Sequence, residues 1–138
     1  MNPNPETVLK LAALTHAGLA AAGLMMWKAS GLRAELKKLA PFPRRLFCTY
    51  YVFIALCVVG FGLGSWLLAP ELAAGTTLAR AVCWFLTAFW TIRLVAAAFV
   101  FDVRPYLTNG WWRLGYHATN VVFSALPFVY AWLALRVA

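Results

Sequence analysis

Leu46–Ala69 reads LFCTYYVFIALCVVGFGLGSWLLA and contains no Asp, Glu, Lys or Arg. A helix needs about 20 mostly apolar residues to cross ~30 Å of hydrocarbon, and this run is long enough. Outward from it, Glu6–Trp27, Leu78–Phe101 and Arg113–Arg136 are also long and mostly apolar. The expected fold is therefore all-α, an integral membrane four-helix bundle. One transmembrane domain covers 1–138, with spans at about 6–27, 46–69, 78–101 and 113–136.

Composition agrees. Hydrophobic residues make up 64% of the chain and charged residues 12%. A soluble fold has roughly 45–50% apolar residues. The net charge of +8 invites a nucleic-acid reading. The basic residues, however, flank apolar runs, where membrane proteins concentrate them, so no nucleic-acid partner is expected. Cys48, Cys57 and Cys83 lie inside the apolar runs without CxxC spacing. They read as small hydrophobes rather than a disulfide framework.

The loops orient the spans. Between the first two lie Lys28, Arg33, Lys37, Lys38, Arg44 and Arg45 against a single Glu35. Leu32, Leu36 and Leu39 share one helical face there, which predicts a short interfacial helix ended by Pro41 and Pro43. The charges read as topology-setting, with recognition of anionic lipid headgroups as the functional alternative. Pro70–Thr77 reads as a short loop with only Glu71 charged, and the third loop adds Arg104 and Arg113. Both termini should then lie outside and the first and third loops in the cytoplasm, in a bacterial-type cytoplasmic membrane. Trp27, Trp111 and Trp112 mark the inner interface on this reading, and Trp66 and Trp132 the outer one. In FDVRPYLTNGWW (101–112), Arg104-Pro105 breaks a helix and Asn109-Gly110 turns the chain, predicting an ordered cap.

Each span carries an informative stripe. Ala12, Ala13, His16, Ala20 and Gly23 form a small-residue face that lets another backbone approach. Tyr50, Phe53, Cys57, Gly60 and Gly64 contain a GxxxG pair, read as internal packing rather than a dimer seam. Arg93 sits deep in its span, where an arginine costs about 2.5–3.5 kcal/mol, and so should face protein or water. Ala96 and Ala97 leave space below it, and Trp90 is close enough in sequence for a cation–π contact. Arg113, His117, Asn120 and Ser124 share a face of the last span.

Depth estimates place these polar groups near one level. His16 lies roughly 15 Å into its span, Arg93 and Asn120 about 12 Å from the inner side, and His117 about 8 Å. Arg93, His117, Asn120, His16 and Tyr50, with Asp102 at the mouth, form the candidate ligand-binding set. A fixed guanidinium beside hydrogen-bonding groups suits the polar head of an amphiphile such as a lipid, a fatty acid or an isoprenoid-like molecule. Membrane lipids are the expected partners on that reading. Whether there is catalysis stays open. His117 as general base oriented by Asp102 is the only acid–base pair, and there is no nucleophile motif or metal-ligand spacing. A third reading is bis-histidine haem b through His16 and His117. A fourth is a non-catalytic subunit or assembly factor that meets a membrane-protein partner.

Overall fold

A computed structural model describes residues 3–29, 31–100 and 110–136. Among the described residues six helices follow in order: α1 (Pro5–Ala29), α2 (Leu32–Lys38), α3 (Pro41–Leu67), α4 (Ala69–Ala73), α5 (Thr77–Phe99) and α6 (Gly110–Leu135). Four of them, α1, α3, α5 and α6, are long and apolar enough to cross a membrane. The chain is an all-α membrane bundle, as its composition implies.

The bundle consists of two helix pairs, α1 against α3 and α5 against α6, joined where α1 meets α6. Gly31 adopts φ +63, a left-handed conformation that favours glycine, and turns the chain from α1 into α2. Leu36 is the buried residue of α2. Pro41 and Pro43 do not simply end α2. That helix stops at Lys38, and the prolines open α3, five residues before the expected Leu46. Proline suits a first helical turn because its missing N–H has no intrahelical acceptor there.

Pro70–Thr77 is also not a plain loop. Ala69–Ala73 is one more helical piece, α4, whose Ala69 and Leu72 are buried against the core around Leu9 and Ala12. Gly75 (φ +68) then turns the chain. Thr76 caps α5, its side-chain oxygen accepting from the Ala79 N–H at 3.2 Å. At the same end of the bundle Arg80 Nε donates to the Ala134 carbonyl at 3.0 Å. That satisfies one of the acceptors that the end of α6 leaves open. The expected cap over 101–109 lies outside the described residues.

The threonines behave as hydroxyls must in hydrocarbon. Thr87, Thr91 and Thr119 donate to the carbonyl four residues back, and Thr15 to Ala12 three back. Pro127 is buried within a continuous α6.

Candidate functional site

His16 occupies the centre of the bundle. Its ring lies 6.4 Å from Phe61 of α3, 5.1 Å from Trp90 of α5 and 6.1 Å from Tyr130 of α6, edge-on to each. One residue of α1 thus touches an aromatic from every other spanning helix. The α1 stripe read from sequence delivers it there, because Ala12, Ala13 and His16 are all buried. On α3, Gly62 makes the close approach possible: a Cβ at that position would stand 2.9 Å from the His16 Cβ.

The imidazole tautomer follows from its partner. Nδ1 lies 2.6 Å from the Ala12 carbonyl, which can only accept, so Nδ1 carries the proton and donates. In the neutral ring Nε2 is then a lone pair. Both His16 Nε2 and Trp90 Nε1 are buried without a hydrogen-bond partner among the described residues. One level away, Ser65 Oγ and Tyr130 Oη are 2.7 Å apart and buried. This bond ties α3 to α6 across the bundle.

Arg93 is half-buried on α5, and its guanidinium lies 4.6 Å from the centre of the Phe123 ring on α6. The cation–π partner is thus Phe123 of the last span rather than Trp90, which is buried against His16. Phe123 in turn lies 5.7 Å from Trp90. Asn120, also half-buried, is three positions before Phe123, about 4.5 Å along α6.

The other expected members lie elsewhere. His117 is exposed and lies 5.6 Å from the Tyr116 ring. Tyr50 is 60% exposed on α3. Its neighbour Tyr51 turns inward and donates to the Gly23 carbonyl at 2.6 Å. Tyr50 also lies about 18 Å along α3 from Gly62, the level of His16. Asp102 falls outside the described residues. The set therefore divides. Arg93 and Asn120 stay together on the α5–α6 seam, His117 lies farther along and exposed, and His16 and Tyr50 sit in different environments.

The division bears on the haem reading. His16 packs at the level of Tyr130, and His117 is about 20 Å farther along α6. Axial ligation of one iron needs both imidazoles on opposite faces of a single macrocycle; here His16 is buried and His117 is exposed. Among the described residues no three His, Cys, Asp or Glu side chains gather into a metal-sized group.

Sequence reasoning missed Ser65, Tyr130, Phe61 and Tyr51. A signal for the first pair was present. Ser65 is two residues from the end of α3 and Tyr130 five from the end of α6, and the alternating topology brings those ends to the same side. No known protein family, curated protein or solved structure matches the chain.

Proposed function

We infer that this protein is a non-catalytic membrane subunit whose outward α3 face packs against a transmembrane helix of a membrane-protein partner. The observation that carries the reading is the orientation of the GxxxG pair. Gly60 and Gly64 have nothing within 4 Å of where a Cβ would stand, whereas Gly62 makes the internal contact. Tyr50, Phe53 and Cys57, on the same stripe, are exposed. A groove of glycines lets a second backbone approach closely and gain dispersion contacts. Tyr51 and Ser65 are engaged inside the bundle, and His16 and Thr87 bond to carbonyls of their own helices. Cross-linking through Cys57 in native membranes tests the reading directly.

A second reading, binding of an amphiphile's polar head, draws on Arg93. A half-buried guanidinium beside Asn120 is suited to a carboxylate or phosphate entering along the α5–α6 seam. The orientation that goes with either reading has both termini outside and the first and third loops cytoplasmic, in a bacterial-type cytoplasmic membrane. It rests on Arg33, Lys37, Lys38, Arg44 and Arg45 all lying between α1 and the body of α3.

A further inference from the structure

The turn between α1 and α2 forms a groove separate from the α3 stripe and from Arg93. Trp27, Gly31, Arg33, Ala34 and Lys37 line an open cleft of about 580 Å³. Small-molecule sites run to about 300–1,000 Å³, so the cleft is large enough for a ligand. Its shape follows from the local sequence. Gly31, at φ +63, reverses the chain, and Leu36 anchors α2 with only 5% of its surface exposed. Arg33 and Lys37, four residues apart, then share one helical face, with the small Ala34 leaving space between them.

The charge at this site is unbalanced. Glu35, the only acid between α1 and α3, binds Lys38 at 2.7 Å. Arg33 and Lys37 have no carboxylate partner among the described residues. Trp27 ends the apolar stretch of the first spanning helix, with its ring 5.0 Å from Tyr51. An indole in that position sits at the level of lipid headgroups.

We propose that this groove binds the phosphate of an anionic phospholipid headgroup. Arg33 offers a planar fork to two phosphate oxygens, Lys37 adds a point charge, and Trp27 packs against the glycerol and the first acyl carbons. The site lies at the end of a membrane span, so the phosphate arrives on a lipid and not free in solution. The site does not depend on the α3 face and stands if that reading fails.

The test titrates the full-length, detergent-solubilised protein with phosphatidylglycerol and with phosphatidylcholine, reading bound lipid by native mass spectrometry. Wild type should prefer phosphatidylglycerol. A single basic side chain near an anionic surface contributes about fivefold, so Arg33→Gln with Lys37→Gln should weaken phosphatidylglycerol binding roughly 25-fold. Arg44→Gln with Arg45→Gln removes the same charge outside the groove and should change binding much less. Millimolar inorganic phosphate should leave the lipid in place. Equal affinity of wild type for the two lipids would overturn the proposal. So would an equal loss in both double variants, which would indicate diffuse charge, or displacement by inorganic phosphate, which would make the ligand a free anion.

Discussion

Gly62 and His16 face each other across the α1–α3 crossing. A methyl group added at Gly62 would stand 2.9 Å from the His16 Cβ, and neither backbone can yield without moving its helix. Overpacking of this kind typically costs about 1–3 kcal/mol. Gly62→Ala should therefore lower the thermal unfolding midpoint in detergent. Gly60→Ala, with open space at its Cβ, should leave the midpoint unchanged or raise it, because alanine favours a helix by up to about 1 kcal/mol. Equal midpoints for the two variants would contradict this account of the crossing. His16 itself was legible as a packed residue, because it lies on a stripe of alanines. That its ring would meet Phe61, Trp90 and Tyr130 was not legible, because single-helix periodicity does not set the relative heights of different helices.

At the scale of elements, the four spanning helices follow from apolar length, and α2 from the phase of Leu32 and Leu36. Which face of α3 turns inward does not follow. Two stripes with the same 3–4 spacing run along it. One is Tyr50, Phe53, Cys57, Gly60 and Gly64, and the other is Tyr51, Ala55, Val58, Gly62 and Ser65. Both are apolar and contain glycine, and lipid is as apolar as the core, so no polarity contrast separates them. The second stripe faces inward because it supplies Gly62 for the crossing and Ser65 for Tyr130. The exposure of Tyr50 is therefore a matter of helix rotation. Tyr50 also stands about 18 Å along α3 from Gly62, and counting within single helices does not set the heights of different helices against one another. On the α5–α6 seam, where Arg93 was correctly expected to face protein, the ligand reading is open to test. If the guanidinium holds a headgroup, Arg93→Ala protein should purify with less lipid than wild type while keeping its helical content. Unchanged lipid would leave Arg93 as a contact between helices, stacked on Phe123.

The whole molecule combines two helix pairs held at one level by His16 and tied at one end by Ser65–Tyr130 and Arg80–Ala134. Four candidate spans, an even number, go with the proposed orientation, in which both ends of the chain lie on one side and the basic segment between α1 and α3 on the other. A reporter fused after Ala138 should be active only when it reads the outside, and cytoplasmic activity would reverse the orientation. The central claim is that the bare face of α3 meets another membrane helix. Cys57 lies on that face, and Cys83 is buried, so replacing Cys48 and Cys83 with alanine leaves one probe in place. Bifunctional thiol cross-linking in native membranes should then give a species larger than the monomer through Cys57. Its yield should fall sharply when Gly60→Leu and Gly64→Leu fill the groove. A chain that stays monomeric, or a yield that the two leucines leave unchanged, would contradict the account.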